Sequence, residues 1–100
     1  MVYLRVRKIG IDAVGDDPFV SISIDKDIVD SSGNIIQTIG GFDRLYEKVS
    51  NLPILYAGNI AEDGIIDSLE LTNLIATAAY IWVIHKHGGE MINGRLVIEK

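Results

Sequence analysis

The stretch from Asp67 to His87, DSLELTNLIATAAYIWVIHKH, constrains the fold more than any other part of the chain. It reads as one helix of about twenty residues, roughly 30 Å long at ~1.5 Å per residue. Asp67 can cap the first unpaired amides, and Glu70 follows three positions later as in a capping box. Gly88 and Gly89 stand where a left-handed C-cap favours glycine, and His85, Lys86 and His87 place cations at the negative end of the helix dipole.

From Leu74 to Ile84 the only polar side chain is Thr77, and a helix that is apolar on all sides is a buried one. Leu71, Ile75, Ala78 and Trp82 form a bulky stripe, while Thr72, Ala76, Ala79 and Val83 form a stripe of small residues that another backbone can approach closely. A chain of this length has a radius of gyration of only ~13 Å, so its own sheet can cover one face of such a helix but hardly every face. The expectation is a homodimer, with Thr72, Ala76, Ala79, Tyr80, Trp82 and Val83 at the interface.

The composition supports that reading. The chain is 48% hydrophobic, with mean hydropathy +0.27, which is apolar for one small domain spanning 1–100. A net charge of −5 argues against nucleic acid as a partner, because such binding draws on Lys and Arg neutralising phosphates. No cysteine is present, which excludes disulfides, thiolate zinc sites and a cysteine nucleophile. Isoleucine is abundant between Ile22 and Ile39, a bias that, with no cysteine, suits a thermophile or an AT-rich genome. The beginning, MVYLRVRK, has no apolar signal segment, and the purely apolar core of the long helix covers about eleven residues against the ~20 that span a bilayer. The expected location is cytoplasmic.

Along the chain, Val2, Leu4 and Val6 alternate with Tyr3, Arg5 and Arg7, predicting a strand over Val2–Lys8 with a basic outer face. Arg5, Arg7 and Lys8 read as a solvated face, with an anion-binding patch as the lesser alternative. A loop over Ile9–Pro18 leads to a second strand, Phe19–Val29, and a hairpin at Asp30–Asn34 returns a third, Ile35–Ile39. Gly40 and Gly41 end that strand. Phe42, Leu45, Tyr46 and Val49 then fall at helical spacing, predicting a short amphipathic helix over about 42–50. Pro53–Ala57 suggests an edge strand, and Asn93-Gly94 marks a last hairpin into a strand over Arg95–Ile98. The fold class expected is α+β: a small antiparallel sheet, one long buried helix (about 68–87) and the short helix at 42–50.

Two local motifs precede the long helix. Residues 59–70 resemble an EF-hand or dockerin calcium loop, with Asn59, Asp63, Gly64, Asp67 and Glu70 at loop positions one, five, six, nine and twelve and the Ile65 carbonyl at seven. The resemblance implies a calcium ion held by Asn59, Asp63, Ile65, Asp67 and Glu70, although Ala61 at position three supplies no side-chain oxygen. The overlapping run Asp67-Ser68-Leu69 resembles the acyl carrier protein signature, which implies Ser68 as a phosphopantetheine site. His85 and His87 with Glu90 could offer metal ligands, but residues two apart on a helix do not share a face. No catalytic constellation stands out. The chain reads as a non-enzymatic binding or assembly protein, self-associating, with a protein partner as a further expectation and no cofactor beyond the calcium alternative.

Overall fold

The computed structural model describes residues 1–13, 15–52 and 68–100, apart from the Glu70 side chain. Strands β1 (Val2–Asp12), β2 (Phe19–Val29) and β3 (Ile35–Lys48) form an antiparallel meander. Helix α1 (Ser68–His87) follows, and the hairpin β4 (Glu90–Ile92) and β5 (Arg95–Glu99) then joins the free side of β1. The five-stranded order is β3-β2-β1-β5-β4. Leu4, Val20, Ile22, Ile24, Leu45 and Leu96 project from one face of the sheet into a core closed by Ala79 and Val83 of α1.

The hairpin turns follow their local chemistry. The Asp30 carboxylate accepts the amides of Ser32 and Asn34 at 2.9 Å each, and Gly33 takes φ +87°. Asn93 and Gly94 both take positive φ, 50° and 78°, the type I′ conformation that matches the twist of paired strands.

The expectation of one long buried helix plus a short amphipathic helix is overturned on both counts. Residues 42–48 are the second half of β3, followed by a 3-10 turn at Val49–Asn51. Helical spacing over so short a window coexists with an alternation that the sheet uses. Leu45 lies opposite Ile22 and is buried, whereas Arg44, Tyr46 and Lys48 lie opposite Ser23, Ser21 and Phe19 on the other face. A nine-residue helix is marginal by itself, and strand pairing along β2 outweighs it. Gly40 and Gly41 do not end β3. They sit in a bulge where the pairing steps from Asp43 opposite Ile24 to Ile39 opposite Lys26, with Gly41 at φ +64°.

Helix α1 has the expected span but is not buried all round. None of the described side chains from Ser68 to Ala78 is buried, whereas Ala79 and Val83 are fully buried against the sheet. Strand β1 runs past Lys8 to Asp12 because a bulge at Arg7 resets the alternation, returning Ile9 and Ile11 to the same face as Leu4 and Val6. The Pro53–Ala57 strand expectation lies outside the described residues.

The helix terminus depends on glycine. The Gly88 amide donates to the Ile84 carbonyl at 2.7 Å. Gly89, at φ +90°, packs so close to β5 that a Cβ there would stand 2.6 Å from the Val97 carbonyl oxygen. Gly89→Ala therefore combines backbone strain with a clash against backbone and should cost about 2 kcal/mol or more. Gly40→Ala, at a position with no positive φ and nothing within 4 Å, should stay within about 0.5 kcal/mol of the wild type. Paired thermal melts check both.

Candidate functional site

Two surfaces stand apart from the core: the outer face of the sheet, which α1 does not cover, and the first half of α1. On the outer face, the bulge at Gly40–Gly41 leaves Asp25 without a regular backbone neighbour on β3. The Asp25 carboxylate replaces it by accepting the Gly41 amide at 2.9 Å and Arg7 Nε at 3.2 Å. Asp27 accepts both Nε and a terminal nitrogen of Arg5, at 3.0 and 3.3 Å, and the Thr38 hydroxyl at 2.8 Å. Arg5 also approaches Asp25 at 3.6 Å. Both carboxylates are buried, each at 4% exposure, while the two arginine side chains stay half-exposed above them.

The Gly41 amide holds the Asp25 carboxyl below its ordinary range, helped by Arg7 and opposed by burial. The paired hydrogen bond from Arg5 does the same for Asp27. This face thus carries a bound ion network with its charges already satisfied, not a poised acid or base. No buried polar side-chain atom among the described residues lacks a hydrogen-bond partner.

At the helix end, Lys86 Nζ and His87 Nε2 both meet Asp43 Oδ2 at 2.7 Å, and the His87 ring lies beside Phe42. Burial raises the Asp43 carboxyl, but Lys86, the Arg44 amide and His87 together outweigh it and hold the group low. His87 is thereby committed to fastening α1 to β3, and the described residues contain no cluster of three metal-ligating side chains.

The sequence-derived site residues fall in different places. Asn59, Asp63, Ile65 and Asp67 lie outside the described residues, as does the side chain of Glu70. Ser68 opens α1 and is exposed. Of the interface residues, Thr72 and Ala76 are exposed, while Ala79 and Val83 continue the same small-residue stripe onto the chain's own sheet. Tyr80 is half-buried, its hydroxyl accepting the Val6 amide at 3.2 Å, and Trp82 packs against the margin of the core. Sequence reasoning missed the Asp25–Asp27 network. Its one legible signal is Asp25 and Asp27 alternating in phase with Ser21 and Ser23, with Asp25 opposite Arg5 and Asp27 opposite Tyr3 of β1.

No family model matches the chain, and neither a curated protein nor a solved structure matches it.

The network sets the response to acid. A carboxyl lowered in the folded state contributes stability in full above the unfolded value of about 3.8 and loses it as pH falls through the folded value. Asp27→Asn should be less stable than wild type at neutral pH, on the order of 1–2 kcal/mol. The gap should narrow as the pH drops below that range. Denaturant melts across pH check it, and a gap that stays constant would remove charge from the account.

Proposed function

We propose that the protein is a non-enzymatic assembly module that pairs with a second copy of itself through the first half of α1. The observation that supports this is exposure of the apolar helix. Leu69 is 68% exposed, Leu71 47%, Ile75 43% and Ile81 40%. Leu71, Thr72, Ile75 and Ala76 continue, beyond the sheet, the side of α1 that Ala79 and Val83 seat on it. From Leu71 to Ile84 there is no charge, so two antiparallel copies of this segment meet without like-charge repulsion, and Ala76 and Thr72 allow a close crossing. Burying each large aliphatic side chain contributes about 1.5–3 kcal/mol before association entropy is counted. No helix among the described residues is long and apolar enough to cross a membrane, so a lipid span does not account for this surface. Residence in the cytoplasm accords with this reading.

The structure separates two substitutions that the sequence treats alike. Ala76 is exposed, so Ala76→Glu should leave the melting temperature of the isolated chain nearly unchanged while converting a dimer to a monomer. Val83→Glu places an unpaired charge in the core and should unfold the chain. Sedimentation equilibrium with thermal melts reads both effects. A wild type that sediments as a monomer at high micromolar concentration overturns the proposal.

A further inference from the structure

The basic residues are unevenly placed. Of nine lysines and arginines, Arg5, Arg7, Lys8, Arg44, Lys48 and Arg95 stand on the outer face of the sheet. The carboxylates sharing its centre are Asp12, Asp25 and Asp27, and the last two are buried beneath Arg5 and Arg7. Glu90, at the far margin, is held by Lys100 at 2.9 Å. Arg5 and Arg7 are paired with Asp25 and Asp27, so a ligand approaching this face meets the charge of Lys8, Arg44, Lys48 and Arg95 against Asp12, a positive surface although the whole chain is acidic. The field at a surface depends on where the charges sit, and the net sum does not report it.

The same face has a shaped centre. Lys8, Ser23 and Arg44 form one cross-strand row, and Gly10, Ser21 and Tyr46 form the next. Gly10 contributes no side chain, so Ser21 lies in an open trough of about 390 Å³ bordered by Lys8, Arg44 and Tyr46, with Asp12 at its margin. Phe19 stacks on Tyr46 at 4.8 Å and 16°, and the Arg44 guanidinium lies 4.9 Å over the Tyr46 ring. The register puts Phe19 and Arg44 on opposite sides of Tyr46, and Arg44 Nε donates to Ser21 Oγ at 2.9 Å, so the stacked rings end in an exposed guanidinium held at the trough.

We propose that this face binds single-stranded nucleic acid, with Lys8, Arg44 and Lys48 meeting phosphates and a base continuing the Phe19–Tyr46–Arg44 stack above the Ser21 and Ser23 hydroxyls. The occupant follows from the chemistry. Cations alone would serve any polyanion, but a guanidinium backed by stacked aromatic rings offers a plane to an unpaired base. A duplex keeps its bases stacked inside and shows only their edges in grooves, which a broad sheet face does not enter. This surface is the opposite side of the sheet from α1, so the inference stands independently of self-association.

The test is fluorescence anisotropy of a labelled oligothymidylate of about fifteen nucleotides, titrated with the protein between about 50 and 200 mM salt. The wild type should bind, with affinity falling as salt rises. Lys8→Gln with Arg44→Gln should weaken binding about tenfold or more at low salt and flatten the logarithmic salt slope by about 1.4, since each phosphate contact to a single strand contributes about 0.7. Arg44→Lys retains the charge, so it should weaken binding while leaving the slope. Lys100→Gln, one charge lost away from the trough, should change neither. Circular dichroism confirms that each variant is folded. Absence of wild-type binding at the lowest salt overturns the proposal, as does wild-type affinity in the double variant. Displacement of the oligonucleotide by polyglutamate at equal concentration also overturns it and assigns the face to acidic polypeptides.

Discussion

Asp25 occupies the place where the pairing of β2 with β3 is interrupted by the bulge at Gly40–Gly41. That bulge adds two residues of β3 against β2, between Asp43 opposite Ile24 and Ile39 opposite Lys26, so the faces stay in phase on either side of it. A bulge removes regular partners from the neighbouring strand. The Asp25 carboxylate takes the orphaned Gly41 amide and also binds Arg7, which sits at the bulge in β1 on the other side of β2. One buried side chain of β2 thus ties together the irregularities of the strands on either side of it. Neutral residues could not do this equally, because an ionised acceptor forms the stronger hydrogen bond and draws the arginine into place.

On the sheet tied in this way, α1 is seated by small contacts and one ionic clasp. Ala79 and Val83 let the helix backbone lie close over Ile22, Ile24 and Leu96, and the Tyr80 hydroxyl accepts an amide from the bulged region of β1. Asp43, the first residue beyond the β3 bulge, grips Lys86 and His87 at the helix terminus. Gly88 and Gly89 then turn the chain sharply into β4. The second half of the helix is held at its end and along its length, and the described part of the first half has no comparable anchorage.

The parts of this fold governed by local chemistry were legible in the sequence. Val20, Ile22 and Ile24 alternate cleanly, Asn93-Gly94 forms its hairpin, and the C-terminal limit of α1 falls at Gly88 and Gly89. What failed were stretches whose meaning depends on a distant neighbour. The bulge at Arg7 interrupts the alternation of β1, so its second half reads as loop. Gly40-Gly41 reads as a terminator until Asp25 is placed beside it, and Phe42, Leu45, Tyr46 and Val49 satisfy a helical spacing that β2 overrides. The apolar helix suggested burial on every side because its sequence does not say where the sheet stops. Net charge likewise averages over surfaces that the fold keeps apart.

Strand order also has a consequence for how the protein is made. Val2 pairs with Glu99, so β1, an interior strand of the finished sheet, receives its second neighbour from residues near the other end of the chain. As the polypeptide leaves the ribosome, the three-stranded meander can assemble early, but the β1 side of it stays an open, hydrogen-bond-hungry edge until Arg95–Glu99 emerges. Such an edge is a template for pairing with other chains. The Arg7 bulge twists part of it. The Arg7 bulge and the hairpin of β4 and β5 thus answer one hazard, the first by breaking the regularity of the edge and the second by pairing it.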